Sequence, residues 1–290
     1  MDEQPKPERT IQVDRLRVAV YADRQRMGAA AGHAVAQRMK ALIAEKGEVV
    51  VVFAAAPSQN EFLATLATEE GIAWGKVVAF HMDEYIGLPA NAPQGFGNFL
   101  RRHLFDLVRP GTVHLLDGQA ADAEAECRRY AALLRAHSVG IVCAGIGENG
   151  HLAFNDPPVA DFEDPLDVKI VELDHACRMQ QVHDGCFPDL ASVPTHALTL
   201  TIPALMKARW IYTMVPGPTK AQAIEATLRG PIGTHCPATV LRRHANATLY
   251  LDRDSAALLS LQSSILPQPD GCSSGTDGVE EDRCLNTTRQ

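Results

Sequence analysis

Short, mainly apolar runs recur along the chain, most of them followed by a longer stretch whose apolar positions return every three or four residues. Arg17–Ala22, Glu48–Phe53, Val77–Met82, Gly140–Cys143, Trp210–Val215 and Ala247–Leu251 are the runs. Val49 to Val52 are four consecutive valines, and an unbroken β-branched run of this kind marks a strand covered on both faces. Thr112–Asp117 predicts a further short strand, and His196–Ile202 alternates apolar and polar with period two, the pattern of a half-buried strand. Between the runs, Asp23 suits an N-cap and an Ala-rich helix follows to about Glu45. Helices are also predicted over Glu61–Glu70, Gln94–Phe105 and Asp122–His137, from Lys220 to Arg229, and over Ala256–Leu261. Cys236–Leu241 reads as a helix or a turn. No internal repeat is visible. Strand and helix alternate throughout, which predicts an α/β fold: a single doubly wound, mainly parallel, Rossmann-like sheet with helices on both faces.

Three stretches fall outside this pattern. Residues 1–14 are charged and contain prolines, and read as a loosely held lead-in to a domain spanning 15–262. Residues 159–194 are polar, mixed in charge and broken by Pro165, Pro188 and Pro194, which predicts a functional lid or a disordered loop. Residues 263–290 are rich in Gly, Ser, Asp and Glu, with too little apolar surface to offset the entropy of ordering, and read as a disordered tail.

Composition narrows the class. With 290 residues and 46% hydrophobic content the chain can bury a sizeable core. Its net charge of −8 argues against a nucleic-acid partner, which would require a clustered basic face. The first residues carry no apolar signal core, and no apolar run approaches the roughly 18 residues of a membrane span. Seven scattered cysteines without a CxxC pair read as reduced thiols, so a cytoplasmic location is expected. The eleven histidines are dispersed and no HExxH occurs, so neither a metal site nor a cofactor is expected.

The chemistry concentrates where strands end. Gly140–Cys143 runs into Ala144-Gly-Ile-Gly-Glu-Asn-Gly-His-Leu-Ala-Phe-Asn-Asp-Pro-Pro158, with glycines at 145, 147 and 150 around Glu148, Asn149 and His151, and Asp156 five residues beyond the histidine. Such a loop is either a polar turn with one solvated histidine or a site at the carboxyl end of a parallel strand, and the density of glycines and acids favours the site. Val77–Met82 delivers Asp83 and Glu84, which are either solvated loop carboxylates or include a base tuned by burial. Ala54–Asn60 is either a small-residue turn capped by Ser58 or an anion-binding helix entry. Lys220 opposes the dipole of the helix that it opens, a poor choice for stability that makes sense if an anion sits there. Arg178 lies in the middle of the irregular stretch, where its own reading is an exposed structural arginine.

Gly145-Ile-Gly-Glu-Asn-Gly-His-Leu-Ala-Phe-Asn-Asp-Pro157 resembles the signature of the glucosamine-6-phosphate deaminase (isomerase) family, and His81-Met-Asp-Glu-Tyr-Ile-Gly-Leu-Pro89 resembles its other active-site segment. The likeness runs loosely from Val18 to Asp252. It implies metal-independent isomerisation of glucosamine 6-phosphate, with loss of ammonia, to fructose 6-phosphate, without a cofactor and with only a small sugar phosphate as partner. By the same resemblance Asp83 moves the proton between C2 and C1, His151 opens the sugar ring, Asp156 holds the imidazole, and Asn149 orients the histidine or a substrate hydroxyl. Ser58, Glu84, Gly147, Gly150, Arg178 and Lys220 are the implied substrate and phosphate contacts. Members often form homo-oligomers. This chain departs from the pattern at Asn149, where many members carry aspartate, at Asp156, where glutamate is common, and in the alanines before Ser58. The departures suggest a diverged branch, and add a related sugar such as galactosamine 6-phosphate to the candidates. 6-Phosphogluconolactonase, with a similar Gly-Asp/Asn-Gly-His loop, is the alternative enzyme, and a non-catalytic sugar-phosphate sensor the alternative of another class.

Overall fold

The computed structural model describes residues 4–259. Four valines and a phenylalanine make β3 (Val49–Phe53), and their side chains alternate between two apolar layers. Val50 and Val52 pack into one core cluster; Val49, Val51 and Phe53 pack into the other. The neighbouring strands β4 (Val77–His81) and β7 (Ile141–Ala144) divide their side chains in the same way. That division is why these strands show no polar alternation: both faces of the sheet are covered.

The remaining members of this sheet are β1 (Arg9–Val13), β2 (Leu16–Tyr21), β6 (Thr112–His114), β10 (Trp210–Val215) and β11 (Ala247–Asp252). The order is β1-β2-β11-β10-β7-β3-β4-β6, parallel throughout except for the edge pair β1–β2. One layer is covered by α1 (Arg24–Lys46), α2 (Asn60–Thr68) and the segment formed by α3 (Phe96–Leu100), a π-helical turn and α4 (Asp106–Val108). The other is covered by α5 (Ala123–Ala136), with α7 (Ile202–Met206) and α8 (Ala221–Arg229) further along the chain. The N-caps of α1 and α5 are Asp23 and Asp122, whose carboxylates accept the N–H groups of Arg26 and Ala125.

Four expectations are corrected. The lead-in is not loose throughout, because Arg9–Val13 pairs antiparallel with β2 as a half-buried edge strand before Asp14 turns at a φ of 50°. The sheet is not single: β5 (Asp83–Tyr85), β8 (Val168–Glu172) and β9 (His196–Leu200) form a separate antiparallel sheet, ordered β5-β9-β8. Residues 159–194 hold β8 and α6 (His175–His183). The inward residues of α6 are Cys177, Gln180 and Gln181, spaced i, i+3, i+4. Two of them are polar, so a hydrophobic pattern cannot reveal the helix. Ala256 to Leu258 are turn and Leu259 a bend rather than helix, while residues 260 and 261 of that expected helix lie outside the described residues, as does the expected tail at 263–290. Cys236–Leu241 resolves into a 3-10 helix over Pro237–Arg243. No helix among the described residues is long and apolar enough to cross a membrane.

At the end of β4, His81 is fully buried, and burial lowers its pKa to about 3, so the ring is neutral. Its Nε2 accepts the Leu116 N–H at 2.8 Å, and the Tyr130 hydroxyl bonds both its backbone N–H and its carbonyl. The residue that introduces Asp83 is thus held by structure, not aimed at a ligand.

Candidate active site

β3, β4, β7 and β10 are mutually parallel, and their carboxyl ends open into one cleft. β3 contributes Ala54–Ala56 and Ser58, β4 contributes Met82 and Asp83, β7 contributes Gly145, Ile146, Gly147 and His151, and β10 leads to Lys220. An open parallel sheet places its sites there because the loops beyond the strand ends diverge around a crevice. Helix α6 closes one side with Gln180 and Gln181, and Phe96 and Phe154 supply an apolar wall, their rings stacked at 5.5 Å.

His151 sits within a defined hydrogen-bond bracket. Its Nδ1 lies 2.8 Å from Asn149 Oδ1 and 2.8 Å from Asp156 Oδ1. Both neighbours are acceptors, so Nδ1 carries the ring proton in the neutral tautomer and Nε2 keeps a free lone pair. The Asn149 amide nitrogen donates to Asp156 Oδ1 at 2.9 Å, while its oxygen also accepts the His151 backbone N–H. Burial alone would raise the Asp156 pKa, but hydrogen bonds from His151 and Asn149, with the His151 charge, outweigh it and hold this carboxyl below its ordinary range. Asp156 is therefore ionised and committed to the ring.

The ring lies directly over Gly147. A Cβ built there would stand 2.1 Å from His151 Cε1 and 2.3 Å from Nε2. Gly150 turns at a φ of 83°, where a side chain would be strained and would also meet Cys236 Sγ at 2.6 Å. Gly147→Ala must therefore displace the imidazole from Asp156. A fall in kcat of about 10²-fold, the typical cost of misplacing a reacting group by an ångström, is expected with an unchanged circular dichroism spectrum.

Asp83 and Glu84 are adjacent but serve different places. Asp83 lines the cleft, and burial, together with the charge of Glu84, pushes its pKa well above the ordinary aspartate range. Glu84 does not reach the cleft, contrary to its expected substrate contact. Successive strand residues point to opposite faces, and its carboxylate accepts the N–H groups of Tyr85, Phe96 and Gly97, tying β5 to the start of α3.

Lys220 is 4% exposed, and its Nζ has no hydrogen-bond partner. Burial lowers its pKa, opposed by the charges of Asp184 and Glu148. A buried ammonium without a partner is costly unless an anion joins it. Beside it, the Ser58 hydroxyl accepts from Gln59 Nε2 at 3.1 Å. Arg178 is not brought to the cleft. It lies about 100° around α6 from Cys177, and its guanidinium donates to the Leu190 and Val193 carbonyls at 2.7 and 2.9 Å, fastening the segment behind the helix.

Several residues of the site escaped sequence reasoning. Gln180 Oε1 accepts the Glu148 N–H at 2.8 Å, joining α6 to the β7 loop. Asn155 Nδ2 donates to the Leu152 and Leu200 carbonyls, and the Thr199 hydroxyl accepts the Phe154 N–H, joining the same loop to β9. Thr199 stands out only as a polar residue in an apolar strand, and Gln180, in a polar stretch, carries no signal at all.

Comparison with known proteins places this arrangement. Residues 22–250 match the model of the family described as glucosamine-6-phosphate isomerases/6-phosphogluconolactonase. A glucosamine-6-phosphate deaminase of Listeria monocytogenes serotype 4a is 36% identical over 213 residues, 73% of this chain and 89% of that protein. One of Bacillus cereus is 37% identical over 185 residues, 64% of this chain and 69% of the relative. Among solved structures, a monomeric glucosamine-6-phosphate deaminase superposes with a TM-score of 0.76 at 27% identity, covering 83% of this chain and 99% of that one. The 6-phosphogluconolactonase of Trypanosoma brucei shares the fold, with a TM-score of 0.70 at 18% identity over 87% of this chain and all of the other. With the family match spanning most of the sequence and the two strand-end segments meeting in one cleft, this chain belongs to the glucosamine-6-phosphate isomerase/6-phosphogluconolactonase family.

Proposed function

We propose that this protein converts glucosamine 6-phosphate and water into fructose 6-phosphate and ammonia. The observation that carries the reading is the meeting, in one cleft, of a buried carboxylate with a raised pKa, an imidazole held by an ionised aspartate and an unpaired buried ammonium. These suit, in turn, a carbon base, a ring-opening proton carrier and a phosphate anchor.

In this reading His151 Nε2 takes the proton of the C1 hydroxyl and returns one to the ring oxygen, opening the sugar. Asp83 removes the C2 proton and delivers it to C1. C1 thereby becomes a CH2–O centre and C2 an iminium; one nitrogen proton passes to O1, giving the alcohol and an imine, which water hydrolyses to a ketone and ammonia. Lys220 and Ser58 hold the phosphate. Asn149 cannot accept a proton; its role is to share the Nδ1–H of His151 with Asp156 and to bond that carboxylate. Neither Glu84 nor Arg178 is given a substrate contact.

The test is ammonia release from glucosamine 6-phosphate, with fructose 6-phosphate measured in parallel and galactosamine 6-phosphate and 6-phosphogluconolactone as competing substrates. Ammonia and fructose 6-phosphate in equal amounts support the reading. Turnover of the lactone without ammonia would replace it with the hydrolase of the same fold.

Lys220→Met separates binding from chemistry. Losing a hydrogen bond to a charged group costs about 1.5–3 kcal/mol, so KM is expected to rise roughly 10- to 150-fold with a smaller change in kcat. The ligand-free variant is expected to melt at a higher temperature than wild type, because a buried, unpaired charge has been removed.

A further inference from the structure

Behind the imidazole, the His151–Asp156 pair meets a third donor, the Cys177 thiol, that the proposed reaction does not use. His151, Asp156 and Cys177 each present one ligand atom, all within 4.8 Å of one another. The three are contributed by two elements, the β7 loop and helix α6. All are buried, Asp156 and Cys177 to 1% exposure. Asp156 Oδ1 is bonded by His151 and Asn149, and the Cys177 thiol donates to the same carboxylate, whose buried Oδ2 has no other hydrogen-bond partner. The thiol proton thus occupies the place between sulfur and carboxylate that a cation shared by the two would take.

We infer that His151 Nδ1, Asp156 Oδ2 and the Cys177 thiolate form an inhibitory binding site for a zinc-class divalent cation. A mixed nitrogen, oxygen and sulfur set matches the preference of zinc, which takes such donors at about 2.0–2.3 Å. In a tetrahedral shell those bond lengths put neighbouring ligand atoms about 3.3–3.6 Å apart, so three atoms already within 4.8 Å need movements on the order of 1 Å. The fourth position falls to water or to Asn149 Oδ1, which already stands 2.8 Å from Nδ1. Protons balance simply. The Cys177 thiol, kept protonated by burial and by the Asp156 charge, gives its proton to solvent as the Zn–S bond forms. The imidazole proton moves from Nδ1 to Nε2, leaving the ring's proton count unchanged. Nε2 then no longer accepts a proton from the cleft, and Asp156 no longer orients the ring. The ion also ties α6 to the β7 loop. One proton is released per ion, so binding tightens as pH rises.

The inhibition rests on the function proposed above; the binding does not. The test uses the whole chain titrated with Co²⁺, a spectroscopic stand-in for zinc. A thiolate-to-cobalt charge-transfer band saturating at one equivalent is expected, lost in Cys177→Ser and kept in Cys127→Ser, whose thiol is buried under α5. Melting curves of both variants check that they fold. In the ammonia assay Zn²⁺ is expected to abolish turnover, with the half-inhibitory concentration raised at least tenfold in Cys177→Ser and activity restored by a chelator. Absence of the band in wild type, its persistence in a folded Cys177→Ser, or equal zinc sensitivity of the two overturns the site. A band in a protein that releases no ammonia keeps the site and removes the function.

Discussion

Asp83→Asn is expected to lower kcat by about 10²- to 10⁴-fold while leaving KM within a few-fold of wild type. The amide nearly preserves shape and burial but cannot take a proton, so the loss falls on the step that moves hydrogen from C2 to C1. Substrate deuterated at C2 distinguishes this from general damage: exchange of that position with solvent should vanish with turnover. The pH profile carries a second signature. Asp83 must be ionised to act as the base, and burial with the Glu84 charge raises its pKa. Activity is therefore lost as pH falls through that raised value, and the acid limb of kcat/KM should lie well above the ordinary aspartate range. Glu84→Gln removes the neighbouring charge and should move that limb to lower pH. An acid limb unmoved by Glu84→Gln and a kcat unmoved by Asp83→Asn would each remove Asp83 from the role.

His151→Gln is expected to cost a similar 10²- to 10⁴-fold in kcat, but at a different step. Glutamine fills much of the space and can still bond Asp156, yet carries no proton between the C1 hydroxyl and the ring oxygen. Ring opening should then limit the rate, so the isotope effect from C2-deuterated substrate should shrink towards unity. An undiminished isotope effect would show that the histidine acts on the carbon step or only on binding. Asp156→Asn should give a milder version of the same behaviour, because it frees the tautomer without removing the ring.

Much of the chain announced its structure. Glu48–Phe53 and Gly140–Cys143 read as buried strands because short, nearly continuous apolar runs mark a strand covered on both faces, and Asp23 read as a cap because aspartate bonds the free N–H groups of a first turn. The gathering of Ser58, Asp83, His151 and Lys220 also followed from sequence, since each stands at the end of a strand and parallel strands share one carboxyl edge. The second sheet did not, because β5, β8 and β9 are separated by long intervals, and pairing across such distances leaves no local mark.

What sequence determined by itself, then, was the layering of the fold, set by periodicity, and the cleft edge, set by strand direction. What only the tertiary structure decided was the aim of individual side chains. Asp83 faces the cleft and Glu84 turns away from it, because a strand alternates and three backbone N–H groups waited on the other side. Arg178 directs its Nη2 to two carbonyls, while Gln180 and Cys177, on the inward face of the same helix, meet the β7 loop and the dyad. Fold class follows from patterns that a chain carries in every short window. The direction of a single polar side chain depends on which distant partner can satisfy it once the backbone has closed around it.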